Sequence, residues 1–141
     1  MRPLPPGVLI TERISGPRGE TEHVRLFYVG GVTAPLYDIS PLVRAVRQLD
    51  RVSLIVCCPP GTGAQFEGLE EFGIEVVHES GQYVRDALQA ADIVPLVFEP
   101  IEYRRFAMPI KLFEAVGAGR PVLATAGTAV GDFVRSSGLG W

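Results

Sequence analysis

The feature that most constrains this chain is a regular alternation of short apolar runs and amphipathic segments, which begins near residue 24 and continues to the end. Short apolar runs bounded by turn residues are typical of buried strands, and apolar residues at helical spacing indicate helices. The predicted strands are 25–29, 52–57, 74–77, 92–98 and 121–125. Helices are predicted from Ser40-Pro41, over 65–72, over 83–91, over 109–116, and over a last segment that ends at Gly138.

Strands that alternate with helices form a parallel sheet covered on both faces. Right-handed crossovers then favour a Rossmann-like, doubly wound α/β domain of about five to six strands, with the order 3-2-1-4-5. We predict that this domain spans residues 24–141 and that the proline-rich residues 1–23 form an irregular segment. Pro95 is awkward in this scheme, because a proline removes a hydrogen-bond donor from a predicted central strand.

Composition excludes several classes of function. The chain has 141 residues, enough for one domain, and its net charge of −3 argues against a nucleic-acid partner that reads a basic face. The adjacent Cys57 and Cys58 form neither a disulfide framework nor a zinc knuckle, and indicate small buried side chains in a reducing compartment. His23 and His78 lack ligand-like spacing, so no metal site is predicted. No apolar run approaches the roughly 20 residues of a membrane helix.

The sequence Cys58-Pro-Pro-Gly-Thr-Gly63-Ala-Gln resembles a phosphate-binding P-loop at first sight. A P-loop requires Gly-x-x-x-x-Gly-Lys-Ser/Thr, in which the lysine neutralises phosphate and the hydroxyl holds magnesium. When the motif is aligned on Gly63, its first glycine falls on Cys58, its lysine on Ala64 and its hydroxyl on Gln65. Three of the four defining residues are missing. A strand-to-helix turn is the favoured interpretation, and a triphosphatase is the weakest functional hypothesis.

The order 3-2-1-4-5 reverses between strands 1 and 4, and open α/β sheets bind ligands at such a point. Gly30-Gly31 follows strand 1 there and could let a phosphate approach the backbone, or could be a turn that needs positive φ. The helix after strand 4 begins at Pro109 and carries Lys111, the only lysine among thirteen basic residues. Its free N–H groups favour an anion. Glu114 shares a face with Lys111, and on spacing alone a surface ion pair is the favoured interpretation.

The segment Met108-Pro-Ile-Lys-Leu-Phe-Glu-Ala-Val-Gly-Ala-Gly-Arg-Pro-Val122 resembles the donor-site signature of GT-B glycosyltransferases of the group 1 or family 4 type. Two further segments are similar to the same family: 27–31 to its glycine loop, and 90–96 to its Ala-Asp-Val strand, where it accounts for Pro95. The N-terminal segment 3–8 is similar to the linker between the family's two lobes. The resemblance covers nearly the whole chain, and 109–122 is its specific part.

The resemblance implies a nucleotide-sugar donor site with no metal and no separate cofactor. It implies that Lys111 contacts the donor diphosphate and Glu114 the ribose hydroxyls, and these two are the catalytic candidates. It also implies that Gly30 and Gly31 approach the phosphates and that Pro109 opens the binding helix. The remaining candidates bind the base, through Glu79, Ser80 and Gly81, or face the sugar, through Phe106 and Ala107.

Many members of this family carry a second glutamate eight positions before the Glu114 equivalent, and this chain has Phe106 there. That departure leaves open how the sugar is held and which sugar it is. Arg104 and Arg105 could face an acidic sugar or phosphate, and a solvated loop is the favoured interpretation of both. The base of the donor (uridine, guanosine or adenosine) and the acceptor are not determined.

The resemblance implies a retaining hexosyltransferase of polysaccharide or glycolipid biosynthesis, cytoplasmic or at the inner face of the membrane. Its partners would be the nucleotide sugar and an acceptor lobe of the same full-length protein, with no nucleic acid. We expect this chain to be one donor-binding lobe, truncated at its C-terminus and inactive alone. Two alternatives stay open: a GT-B sugar epimerase domain, and a non-catalytic flavodoxin- or receiver-like module. A receiver, however, expects acidic residues where Gly30-Gly31 stands.

Overall fold

The structure is a computed structural model, and it describes residues 23–141. The predicted irregular segment 1–23 and the linker resemblance over 3–8 therefore lie, except for His23, outside the described residues. From residue 24 onward the predicted alternation of strands and helices is confirmed. The strands are β1 (Val24–Val29), β2 (Val52–Cys57), β3 (Ile74–Val77), β4 (Val94–Leu96) and β5 (Val122–Ala124). The α-helices are α1 (Ser40–Val46), α2 (Gln82–Ala90), α3 (Glu102–Phe106), α4 (Ile110–Gly117) and α5 (Ala129–Ser136).

The first three strands form a parallel sheet in the order β1-β2-β3. Leu26 lies beside Leu54, and Leu54 lies beside Ile74, so one apolar row crosses the sheet. Successive strand residues point to opposite faces. Leu26 and Tyr28 therefore pack into the larger core cluster, whereas Phe27 packs into a second cluster with Cys57 and Ala91. Apolar residues on both faces are what a parallel sheet covered by helices requires.

The strands β4 and β5 pair in parallel as a separate two-stranded sheet. The prediction of one continuous sheet in the order 3-2-1-4-5 is therefore wrong in its continuity. Just before β4, a single parallel bridge joins Ile93 to Leu26, with Ile93 donating to the Arg25 carbonyl and accepting from Phe27. The next donor of this ladder would be Pro95, which has no N–H. The anomalous proline thus interrupts the pairing between the two sheets.

Three local predictions also need correction. The predicted helix over 65–72 is two short 3₁₀ turns, Ala64–Phe66 and Glu70–Phe72, with Gly68 between them at a φ of 75°. A residue in the left-handed region cannot continue a helix, so the glycine divides the segment. The loop predicted over 99–108 contains α3. The predicted strand 92–98 shortens to Val94–Leu96.

Helix α1 begins at Ser40 as predicted, but the Ser40 side chain does not cap it. Instead, the Ser40 N–H donates to Oδ1 of Asp38 at 2.9 Å. Hydrogen bonds from the Ser40 hydroxyl and N–H lower the pKa of Asp38 below its ordinary value of 3.8. The carboxylate therefore stabilises the start of α1 in its ionised form. The side chains of Leu42, Val43 and Val46 then bury one face of the helix.

Candidate functional site

Helix α4 presents the predicted donor-site signature. Pro109 stands at its N-cap in an extended conformation, which is what a residue with no N–H and a fixed φ favours. No side chain caps this end. Leu112 and Ala115 are fully buried and attach the helix to the larger core cluster. Lys111 and Glu114 each precede one of these buried residues and lie toward the solvent-accessible side of the helix, near an end whose N–H groups favour negative charge.

Lys111 and Glu114 form an ion pair, with Nζ 2.9 Å from Oε2. The prediction that they share a face is confirmed. Each side chain is a little over one-third exposed. A pair of this kind in solvent contributes about 0.2–0.5 kcal/mol to stability. The two charges therefore neutralise each other at little energetic gain, and a stronger ligand could replace either partner.

Two cavities meet at Lys111. The first, which we name the Gly81 cavity, has a volume of about 530 Å³ and is lined by Glu79, Ser80 and Gly81 together with Lys111 and Glu114. The second, the Tyr28 cavity, has a volume of about 580 Å³. It is lined by Tyr28, Gly30, Gly31, Ala107, Pro109 and Lys111 among others. Val29 and Lys111 line both cavities, so the predicted residues converge on Lys111 from two sides.

The glycine loop reaches the Tyr28 cavity, but its backbone is partly engaged. The Gly30 N–H donates to the Cys57 carbonyl at 3.0 Å, and the Tyr28 hydroxyl donates to the Gly31 carbonyl. Gly30 has a φ of 151°, and a Cβ added at Gly31 would lie 3.1 Å from the Tyr37 ring. The backbone conformation thus favours glycine at the first position, and at the second a side chain would make a tight contact with the Tyr37 ring. The Gly30 N–H is not available to a phosphate.

Of the two residues predicted to face the sugar, the structure brings only one to the site. Ala107 lines the Tyr28 cavity, whereas Phe106 is 75% exposed and lines neither of the two cavities. Phe106 is the last residue of α3, and Ala107 after it is extended. This change of backbone direction separates the two neighbouring side chains.

Arg104 is the residue that the sequence analysis underestimated. It is 8% exposed, whereas its neighbour Arg105 is exposed as the favoured interpretation proposes for both. Its Nε donates to the Leu36 carbonyl at 2.6 Å. The guanidinium carbon lies 4.0 Å from the centre of the Phe98 ring and 4.7 Å from that of Tyr37. Helix α3 has only five residues, so its sequence has too few positions to show by periodicity that Arg104 is buried and Arg105 exposed.

Tyr28 lies beside Arg104 in the Tyr28 cavity. Burial raises the pKa of the Tyr28 hydroxyl well above its usual value, and the Arg104 charge only partly opposes this shift. The phenol is therefore neutral at physiological pH. It supplies a hydroxyl to the cavity but no negative charge to balance Arg104.

Three donors of the P-loop look-alike, turn 58–63, bond to carbonyls within the turn itself. The Thr62 N–H and hydroxyl both donate to the Pro59 carbonyl, at 3.1 and 2.7 Å. The Cys58 thiol donates to the Thr62 carbonyl, and His78 Nδ1 lies 3.0 Å from the Cys58 carbonyl oxygen. These hydrogen bonds describe a closed turn, as expected. Cys57 and Cys58 are both buried and free, and burial raises the pKa of the Cys57 thiol.

Residues 23–141 contain neither a metal-binding cluster nor a membrane-spanning helix. No group of three or more His, Cys, Asp or Glu side chains in this part of the chain is placed to hold a metal ion. Among the same residues, no helix has the length and apolar character needed to cross a membrane.

Comparison with known proteins gives no relative from which a function could be transferred. The chain matches no protein-family model, no curated protein and no solved structure.

Proposed function

We propose that this chain is the donor-binding domain of a GT-B glycosyltransferase, which moves a sugar from a nucleoside diphosphate to an acceptor. The observation that carries the proposal is the convergence at Lys111. Segments 30–31, 79–81 and 109–114 are distant in sequence, and the family resemblance implies that each contacts one part of the donor. All three line the two cavities that meet at this lysine.

The proposed arrangement places the diphosphate at Lys111, between the two cavities. The nucleoside occupies the Gly81 cavity, where Glu114 accepts hydrogen bonds from the ribose diol. The sugar occupies the Tyr28 cavity. The ion pair between Lys111 and Glu114 opens when the donor binds, because each residue exchanges its partner for a ligand group. At the start of α4, the helix dipole adds to the lysine charge.

This arrangement supports a role in catalysis for the same residues. When the glycosidic bond to the diphosphate breaks, negative charge grows on the departing phosphate oxygen. A lysine and a helix N-terminus fixed at that point stabilise the charge without reorganisation. The retaining outcome, the acceptor lobe and a Rossmann-like fold are parts of the proposal. The bridge between Leu26 and Ile93, which sets β1 beside the start of β4, is compatible with such a fold.

The epimerase alternative receives less support. It would need carboxylate acid–base groups at the sugar, and the described residues that line the Tyr28 cavity include no Asp or Glu. The interaction-module alternative predicts no ligand at either cavity, so calorimetric titration with nucleoside diphosphates tests it as well.

Calorimetric titration with UDP, GDP and ADP tests the proposal. We expect one nucleoside diphosphate to bind and Lys111→Ala to weaken it about tenfold or more, as for the loss of a hydrogen bond to a charged group. Glu114→Ala should weaken the same nucleotide but not inorganic pyrophosphate, which has no ribose. Arg120→Ala, outside both cavities, is the control. Preferential binding of ATP with magnesium that neither variant changes would contradict the proposal. Robust sugar transfer by the chain alone would contradict its assignment as one lobe.

A further inference from the structure

Arg104 is a buried cation for which residues 23–141 provide no balancing anion. The four ion pairs found in this part of the chain are Arg25–Asp92, Arg44–Glu99, Lys111–Glu114 and Arg135–Asp132, and in each of them the basic side chain is at least 36% exposed. The buried basic side chain is the one expected to be paired, because removing a charge from water is costly unless an opposite charge and hydrogen bonds replace the water.

The guanidinium is also short of hydrogen bonds. Among the described residues it makes one, from Nε to the Leu36 carbonyl. Nη2 is buried and has no partner. Glu99 and Arg104 both line a third cavity of only about 10 Å³, but the Glu99 carboxylate pairs with Arg44 at 3.8 Å. The Tyr28 hydroxyl, also in the Tyr28 cavity, donates to Gly31.

What surrounds Arg104 holds it in place without neutralising it. The rings of Phe98 and Tyr37 lie against the guanidinium, and the Leu36 carbonyl fixes Nε. Aromatic faces attract a cation but carry no charge, and Nη2 remains without a partner among the described residues. Because Nε already donates to the Leu36 carbonyl, Nη2 is the donor through which the guanidinium is suited to bind a carboxylate or phosphate.

Arg104 belongs to the sugar side of the proposed donor site. It lines the Tyr28 cavity and is absent from the Gly81 cavity, whereas Lys111 lines both. A diphosphate at Lys111 with its nucleoside in the Gly81 cavity leaves the Tyr28 cavity to the sugar. We propose that the sugar is acidic and that Arg104 binds its anionic group, a carboxylate or a phosphate. This inference depends on the proposed function for the identity of the ligand as a sugar.

Three sugar phosphates that share one anomeric phosphate test the inference without requiring the correct base. They are glucose 1-phosphate, glucuronate 1-phosphate and glucose 1,6-bisphosphate, which carry a hydroxyl, a carboxylate and a phosphate at the sixth carbon. Affinities are measured by NMR titration of the 141-residue chain. We expect at least one of the two acidic probes to bind about tenfold or more tightly than glucose 1-phosphate. Which of them does so identifies the anionic group.

Variants assign that preference to Arg104. Arg104→Met should abolish the advantage of the acidic probe and leave glucose 1-phosphate unchanged, and the exposed Arg105→Met should change neither. Arg104→Lys keeps the charge without the planar fork and should retain part of the advantage. It also provides the test if the methionine variant fails to fold. Equal affinity for all three probes, no saturable binding of the acidic ones, or equal weakening of all three by Arg104→Met would overturn the inference.

The two proposals can fail separately. Nucleoside diphosphate binding that depends on Lys111, without a preference for acidic sugars, would leave the donor-domain assignment and remove the inference. A preference for acidic sugar phosphates that depends on Arg104, with no binding of UDP, GDP or ADP, would support the Arg104 site and remove the donor-domain assignment.

Discussion

Turn 58–63 and the 107–111 segment both look suited to phosphate, and they differ in how they use their polar groups. In turn 58–63, the Thr62 N–H and hydroxyl both donate to the Pro59 carbonyl, and no cation is present in the turn. The 107–111 segment ends at a helix N-terminus that no side chain caps, next to the only lysine of the chain. An uncapped helix N-terminus beside a lysine whose ion pair can open is therefore a better indicator of an anion site than a glycine-rich sequence.

The first prediction tests how firmly α4, which carries Lys111, is anchored in the core. Leu112 is fully buried, and it holds α4 in the core one residue after Lys111. Leu112→Ala should lower the free energy of unfolding by about 2–5 kcal/mol, because the side chain is lost and a cavity remains. Val116→Ala on the same helix, where the side chain is 38% exposed, is the matched control and should cost much less. Urea unfolding measures both, and equal losses would show that α4 is not anchored as described.

The second prediction breaks turn 58–63. Gly63 has a φ of 86°, and a Cβ there would lie 2.7 Å from Sγ of the buried Cys58. Gly63→Ala should therefore destabilise the fold by about 2 kcal/mol or more, through left-handed strain and overpacking. Gly61, at a φ of 78° with open space around it, isolates the strain alone, and Gly61→Ala should cost less.

The Gly61→Ala variant also tests whether turn 58–63 contacts the nucleotide. If turn 58–63 binds no phosphate, Gly61→Ala should leave the affinity measured by calorimetry unchanged at a temperature where the variant is folded. A loss comparable to that of Lys111→Ala would return phosphate binding to this turn.

The third prediction concerns Asp38, next to Tyr37 on the loop that leads from Gly31 to α1. Its lowered pKa means that the ionised carboxylate contributes stability above the unfolded-state pKa. That contribution is lost as the pH falls through the lower, folded-state pKa. Asp38→Ala should cost about 1 kcal/mol at pH 7, as for a hydrogen bond at a helix start. Its effect should diminish in strongly acidic solution, and an effect independent of pH would contradict the ionic origin.

The smallest expected effect is at the ion pair itself. A double-mutant cycle with Lys111→Ala and Glu114→Ala should give a coupling of only about 0.2–0.5 kcal/mol in stability, because both side chains are partly solvated. The same variants are expected to alter nucleotide affinity much more. A coupling well above this range would mean that the pair serves the fold rather than a ligand.

Residue periodicity predicted the strands β1, β2 and β3 within a residue at each end, because burial on both faces leaves a clear apolar run. It also predicted α4 and the shared face of Lys111 and Glu114. It failed where a single backbone property decided the outcome. Gly68 divided a predicted helix into two turns, and Pro95 ended the pairing between β1 and β4. The proline was visible in the sequence, but which ladder it would interrupt was not.

The alternation of strands and helices and the position of Lys111 on its helix can be predicted from the sequence, because both depend on residues close together along the chain. The cavities that meet at that lysine depend on the tertiary fold, since they are built from segments 30–31, 79–81 and 109–114. The tertiary fold alone decided that Arg104 is buried against Phe98 and Tyr37 while Arg105 is exposed. Burial of a charged side chain depends on neighbours distant in sequence, and local spacing carries no record of them.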